Sequence, residues 1–282
     1  MTKPTITLLV VVTAIPSILM ASQQMPSLGF ILLISLGTAL VSSSAAVFNQ
    51  LLEKNSDQFM QRTAGRPLPS GKLSKSFAAA YGIILLLLGE VLLFLTSNLL
   101  TALLALAGHL FYVLVYTAFL KKKTPQNIVI GGAAGAVGPL IGWASVTGSL
   151  DWTAWILFLI ITLWTPPHFW ALALKYKDDY ARAKIPMYPV VYGDEQTRHR
   201  IMIYTLILTL PVLALSFMGN AVIFYLPVSV LLSARFIWGA VGLYRSHDNK
   251  KAMPFFYFSC VYTFVLFGAL AADRFFFLLR ST

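Results

Sequence analysis

The sequence predicts an all-α integral membrane protein with nine transmembrane helices in a single domain spanning residues 1–282. Three observations lead there. Apolar runs of about twenty residues recur from end to end; 58% of residues are hydrophobic and only 11% charged; and Lys and Arg gather in alternate connections. Soluble domains carry about 25% charged residues, and a helix that is apolar all round belongs in lipid.

The runs occupy residues 6–22, 28–51, 76–97, 99–120, 127–148, 153–174, 201–219, 221–244 and 253–272. Most approach the length needed to cross ~30 Å of hydrocarbon at ~1.5 Å per residue; the first and seventh are the shortest. The first could pass for a signal peptide, but "ILMASQQ" is a poor small-x-small cleavage site, so it is kept as a span. The connections after spans one, three, five and seven are short and carry one charge, Asp151. The other connections and the N-terminus hold 18 of the 21 Lys and Arg. By the positive-inside rule that side is cytoplasmic, with the N-terminus inside and the C-terminus outside. The net charge of +11 therefore reports topology and does not point to nucleic acid. One cysteine, Cys260, excludes an internal disulfide and any Cys-based metal cluster. No Arg- and Ser-rich transit segment precedes the first span, which points to a prokaryotic inner membrane.

Two long loops, about 52–75 and 175–200, lie on the cytoplasmic side, and the chemistry is expected there. Arg66-Pro67 and Ile185-Pro186 are helix stops, so helices two and six are expected to continue past the membrane edge before turning. Asn49, Glu53 and Asp57 are spaced i, i+4, i+8 and share one helical stripe at the mouth. Two acids one turn apart repel unless a cation joins them, and magnesium binds through few carboxylates while taking phosphate oxygens as further ligands. Arg62 and Arg66 follow at the same spacing, suited to anionic oxygens. An ordinary solvated helix end would give the same spacing. A second cluster at the same depth argues against that: Asp178 and Asp179, flanked by Lys175, Lys177, Arg182 and Lys184. Facing clusters could hold one or two Mg²⁺ around a diphosphate and neutralise leaving-group charge. The expected metal ligands are Glu53, Asp57 and Asp179, with Asp178 as a further candidate; Asn49 completes the catalytic set. Arg62, Arg66, Lys122, Lys177 and Tyr180 are the expected diphosphate-binding residues. The implied reaction is ionisation of a prenyl diphosphate inside a membrane.

Here the residues become familiar. "NxxxExxxDxxMxRTxxRPLxxG" over 49–71 resembles the first acidic motif of the UbiA-type intramembrane prenyltransferases, a superfamily of nine-helix bundles. "TKPTITLLVVVTA" (2–14), "TPQNIVIGGAAGAVGPLIGWASVTG" (124–148), "LWTPPHFWALAL" (163–174) and "DDYARAKIPMYPVVYG" (178–193) resemble its protohaem IX farnesyltransferase branch. The resemblance implies that farnesyl diphosphate ionises with Mg²⁺ help and that a vinyl group of haem b, a substrate rather than a cofactor, captures the farnesyl group. Water then completes the addition, giving haem o. It also implies the lipid bilayer and haem-modifying or oxidase-assembly proteins as partners. Glu53 stands where Asp is usual, Asn55 where a further Asp is common, and Lys184 where Gly is usual. Four residues after Asp179, where most members carry a carboxylate, stands Ala183. The rival readings are a sister enzyme that prenylates 4-hydroxybenzoate or another aromatic ring, and a cation transporter. Transporters place coupling charges near the midplane, whereas these acids sit at one edge.

Three residues are candidate haem contacts. His168, inside span six, is either a satisfied core histidine or a haem contact or proton relay; Trp170 and Arg235 are weaker candidates. Arg235 and Glu90 are costly intramembrane charges whose depths differ by roughly 10 Å, poorly placed to pair. The Gly131/Gly135 and Gly138/Gly142 pairs predict close helix packing, with room for a bulky ligand as the lesser reading. Trp143, Trp164, Phe169, Trp170 and Tyr176 could shield an allylic cation or serve as belt and core.

Overall fold

The computed structural model describes residues 1–61, 63–218 and 223–280. Nine of its helices are long and apolar enough to cross a membrane. They are α1 (Pro4–Ala21), α2 (Leu28–Asp57), α3 (Lys75–Thr96), α4 (Leu99–Lys123), α5 (Asn127–Thr147), α6 (Trp152–Lys175), α8 (Tyr188–Leu215), α9 (Tyr225–Arg245) and α10 (Ala252–Arg280). The short α7 (Lys177–Arg182) lies between α6 and α8. Each spanning helix packs on its neighbour in sequence, and α10 closes the bundle against α1 and α6.

The helix starts at the end of the bundle opposite the two long loops are set by capping. Ser27 accepts from the Phe30 N–H (3.2 Å), Asn98 from Thr101 (3.0 Å) and Asp151 from Thr153 (2.8 Å) and Ala154 (3.1 Å), satisfying first-turn donors that lipid cannot. Asp273, beyond the run expected to end at 272, caps α9 from α10. Its two carboxylate oxygens accept from the Phe224 (2.8 Å) and Tyr225 (2.7 Å) N–H groups. Arg274 next to it donates to the carbonyls of Leu19 (3.1 Å) and Ser22 (2.6 Å), tying α10 to the end of α1.

At the other end α2 extends beyond its apolar run, as expected. Its 30 residues span roughly 45 Å, more than the hydrocarbon core requires. Helix six departs from expectation. It stops at Lys175, because Tyr176 (φ −107°, ψ 27°) leaves the helical region, and the chain restarts at once as α7. Lys184 then adopts φ 54°, the left-handed conformation that a glycine takes without penalty. The turn before Ile185-Pro186 is thus kept at a cost of about 1 kcal/mol. Helix α8 begins at Tyr188, well before its expected start at 201, with a break at Gly193 (φ 81°). The start expected for the eighth run, 221, lies outside the described residues, and α9 begins at Tyr225.

Two local features shape the interior. Residues Phe111–Leu120 of α4 wind as a π-helix. Within α5 the helix relaxes at Ala136, dividing the two glycine pairs. Gly138 and Gly142 lie against the α1 backbone at Val10 and Ala14, the close packing that the spacing predicts. Gly131 lies beneath the Tyr116 ring, whereas a Cβ at Gly135 would meet nothing within 4 Å. In the first pair, Gly131 thus seats α5 against α4, as the spacing predicts, and Gly135 leaves room. We expect Gly142→Val to push α1 off α5 and lower the protein's stability by about 2 kcal/mol, read as a lower melting temperature in detergent. Gly268→Ala, where a Cβ meets nothing, serves as the control; equal melting of the two variants would contradict the packing.

Candidate functional site

The stripe on α2 points inward: Asn49, Glu53 and Asp57 are 1%, 3% and 0% exposed. Each finds its partner on a different element. Lys3 donates to Asn49 Oδ1, and Asn49 Nδ2 donates to Thr117 Oγ1 (3.0 Å) in the π-helical turn. Glu53 pairs with Lys121 at the end of α4. Asp57 Oδ2 pairs with Arg66 Nη1 (2.6 Å), and the Thr63 hydroxyl donates to the Asp57 carbonyl (2.9 Å), folding the first loop back over the helix end. Burial pulls the Lys3 ammonium down from its ordinary 10.5 to about 7, against the opposing pull of Glu53.

These groups form the polar end of a cavity of about 500 Å³, within the range of small-molecule sites. Glu53, Asp57, Arg66, Lys121 and Lys3 line that end; Tyr112, Tyr116 and Tyr180 follow; the far wall is Trp164, His168, Phe169, Phe256 and Cys260. His168 lies between Trp164 (ring centroids 4.3 Å apart) and Phe256 (4.5 Å), and its Nδ1 is 2.6 Å from Ser259 Oγ. It is thus both a satisfied histidine and part of the cavity wall.

The second cluster is not where the sequence suggests. Adjacent residues on a helix face about 100° apart, and α7 presents Tyr180 to the cavity while Asp179 turns to Arg182 on its own helix. Asp178 is exposed. Lys177 pairs with Asp194 (2.8 Å), which also accepts from Asn249 (2.7 Å), so it is committed away from the cavity. The two loops meet through apolar contact, Met60 against Tyr180, Ile185 and Met187. Among the described residues no three His, Cys, Asp or Glu converge to hold a metal ion, so the expected set of Glu53, Asp57 and Asp179 is not assembled. The α2 carboxylates alone still fit a hard cation. Asp57 Oδ1 is buried with no hydrogen-bond partner among the described residues, and Asp57 lines the cavity.

Other expectations are corrected. Lys122 is exposed, and Lys121 takes the inward place. Trp170 belongs to the core, packed on Tyr188 and Tyr204. Arg235 is exposed on α9, its guanidinium over Phe258 (4.9 Å) and Trp238 (5.9 Å), so neither is positioned for a ligand in this cavity. Of the expected aromatic shield, Trp164 and Phe169 line the cavity and Trp143 and Tyr176 do not. Arg62 lies outside the described residues. Lys3, Lys121 and Tyr112 were not singled out by the sequence; charge in a connection marks a membrane edge but not which side chain turns inward.

The chain matches the UbiA prenyltransferase family over residues 10–268. It is 45% identical to the protoheme IX farnesyltransferase of Symbiobacterium thermophilum, covering 97% of this chain and 92% of that one. To the protein of that name from Nitrosococcus oceani it is 44% identical, covering 97% and 91%. Among solved structures it resembles a digeranylgeranylglyceryl phosphate synthase (TM-score 0.77, 20% identity, 97% and 99% covered). It also resembles an Archaeoglobus fulgidus UbiA homologue bound to GPP and Mg²⁺ (TM-score 0.63, 16% identity, 94% and 96% covered). These two likenesses are of fold.

The Glu53–Lys121 pair gives a stability test. Lys121→Met leaves a buried carboxylate without its cation and is expected to cost about 3 kcal/mol. Adding Glu53→Leu should restore most of it, measured by thermal denaturation in detergent. A single variant as stable as the parent would mean the pair does not form.

Proposed function

The chain belongs to the UbiA prenyltransferase family, and from that premise we propose that it transfers the farnesyl group of farnesyl diphosphate to a vinyl group of haem b, giving haem o and diphosphate. The observation that carries this reading is the identity of 45% to a protoheme IX farnesyltransferase across 97% of the chain. The cavity supports it. It pairs a cationic end with a large aromatic chamber, as an anionic head and two hydrophobic substrates require.

We assign the diphosphate to Arg66, Lys121 and Lys3, and the metal to Asp57 with Glu53. Asp178, Asp179 and Lys177 drop out of the binding set, and Asn49 acts by fixing Lys3. When bound there, magnesium supplies charge neutralisation for the departing diphosphate. Charge balance favours one ion. Arg66 and Lys121 balance Glu53 and Asp57, and Lys3, once the bound anion restores its proton, adds one positive charge at this end of the cavity; a trianionic diphosphate ester with one divalent ion is a monoanion. The two opposite charges cancel, and a second divalent ion would leave the site strongly positive.

The chain's remaining work is positioning and exclusion of water. Arg66 can hold phosphate oxygens bidentately, fixing the head group. Tyr112, Tyr116 and Tyr180 stand next to the polar end, where their ring faces can stabilise the allylic cation electrostatically. Met60, Tyr180 and Met187 line the same cavity and add apolar surface that disfavours water. Beyond it, the Trp164–His168–Phe256 stack gives the cavity an aromatic wall against which a porphyrin ring can lie. The protein is a multi-pass membrane protein; we place this mouth and the N-terminus at the cytoplasm, following the charge asymmetry.

Purified protein with Mg²⁺, farnesyl diphosphate and either haem b or 4-hydroxybenzoate, its products weighed by mass spectrometry, tests the reading. Farnesylated haem is expected. Prenylated benzoate alone would replace haem as acceptor, and no diphosphate release with either would favour transport. In the same assay Asp57→Asn should lower turnover by at least about a hundredfold while the variant remains folded; unchanged turnover would remove Asp57 from the metal site.

A further inference from the structure

We propose that a second, narrow chamber beside the reaction cavity holds the water that becomes the product hydroxyl, with His109 and Thr38 as its polar wall. The proposal rests on the haem-farnesylating reading above, because only that acceptor needs water to finish the reaction.

The chamber lies between α1, α2, α4 and α5 and encloses about 60 Å³, room for about four waters at ~15 Å³ each. Its lining is mostly apolar but includes buried polar groups. Thr38 and His109, 1% and 6% exposed, both line it. Thr38 Oγ1 and His109 Nδ1 have no hydrogen-bond partner among the described residues. Buried polar atoms are ordinarily satisfied by protein or by ordered water, and polar cavities of this size hold water where apolar ones stay empty. The His109 ring also faces the Val41 backbone. A proton on Nε2, directed to that backbone, would leave Nδ1 an acceptor. Such an acceptor can orient a water by one of its hydrogens, leaving the oxygen lone pairs directed elsewhere.

The chamber adjoins the reaction cavity. Lys3, Tyr112 and Gly135 line both spaces, and the missing side chain at Gly135 keeps the junction clear. Lys3 Nζ and Tyr112 Oη, 3.4 Å apart, stand at that junction and offer hydrogen-bonding groups for water to pass.

The reaction makes opposite demands on water. The C–O bond to diphosphate breaks and the farnesyl carbon bonds to the terminal vinyl carbon. Positive charge is left on the vinyl carbon next to the porphyrin ring. From there two outcomes are open. A water oxygen bonds to that carbon and releases one proton to the departing diphosphate, giving the hydroxylated product. Alternatively, a proton leaves the neighbouring CH₂ and the product is a diene lighter by one water. Bulk water entering from the mouth would quench the first cation to farnesol. Waters ordered on Thr38 and His109 are few and bound, so one can be drawn to the second cation while bulk water is kept from the first.

The partition between the two products is the readout. The full-length protein with Mg²⁺, farnesyl diphosphate and haem b is assayed as wild type and as His109→Phe, Thr38→Val and His109→Gln. We expect His109→Phe and Thr38→Val to raise the anhydrous-to-hydrated ratio on the order of tenfold while total farnesylated haem stays close to wild type. His109→Gln, which keeps a polar atom in the chamber, should stay closer to the wild-type ratio. A wild-type ratio in both His109→Phe and Thr38→Val overturns the proposal; should the bulkier variant misfold, the near-isosteric Thr38→Val decides alone. Absence of farnesylated haem from the wild type would instead overturn the functional reading on which the chamber depends.

Discussion

Charge buried in a low-dielectric bundle must be answered where it sits, and that constraint organises this protein. Helix α2 carries Asn49, Glu53 and Asp57 inward, and water cannot solvate them there. An unpaired ion in such a place costs several kcal/mol, whereas a matched pair does little more than recover its own desolvation. The pairs therefore act chiefly by specifying geometry. Lys3 brings the start of α1 to Asn49, Lys121 brings the end of α4 to Glu53, and Arg66 brings the first loop to Asp57. One polar column thus fixes how three further segments meet, and the cavity forms in the space they enclose.

Much of this was legible in the sequence, for physical reasons that also mark its limits. Hydropathy located the nine spans because lipid demands length and apolarity, and i, i+4, i+8 spacing located the α2 stripe because helix periodicity is rigid. The partner of Glu53 was not legible. Lys122 was the lysine expected at the diphosphate, but residues 111–120 wind as a π-helix, and that wider winding changes which of three consecutive lysines arrives on the inner face. No pattern of polar and apolar residues announces such a stretch. The end of α10 was lost similarly: Asp273 and Arg274 look like a membrane edge, yet they cap α9 and bind the end of α1. A charge that satisfies backbone groups inside the bundle is indistinguishable, in sequence, from one that faces water.

The second acidic cluster shows composition misleading in another way. Two neighbouring aspartates at the right depth suggested a metal site opposite the first. A six-residue helix can direct only part of its surface into the cavity, however, and α7 directs Tyr180. Its carboxylate is answered locally by Arg182. The departures from the family pattern are consistent with this. Ala183 supplies no second carboxylate one turn after Asp179, so nothing opposes that local pairing. Lys184 keeps the turn by accepting a left-handed backbone. Glu53 has one methylene more than the usual Asp, giving its carboxylate the reach to Lys121.

The same economy of position governs water. A carbocation survives only where nucleophiles are absent, which favours the apolar surface that Met60, Tyr180 and Met187 give the cavity. The product nevertheless contains a hydroxyl group, so dryness cannot be uniform. Separation in space reconciles the two demands. The polar mouth handles ions, the aromatic wall handles hydrocarbon, and a side chamber bordered by His109 and Thr38 meets the cavity near the mouth. α2 links two of these regions, with Asp57 at the mouth and Thr38 five helical turns deeper. A shift of that helix would therefore disturb charge pairing and water delivery together.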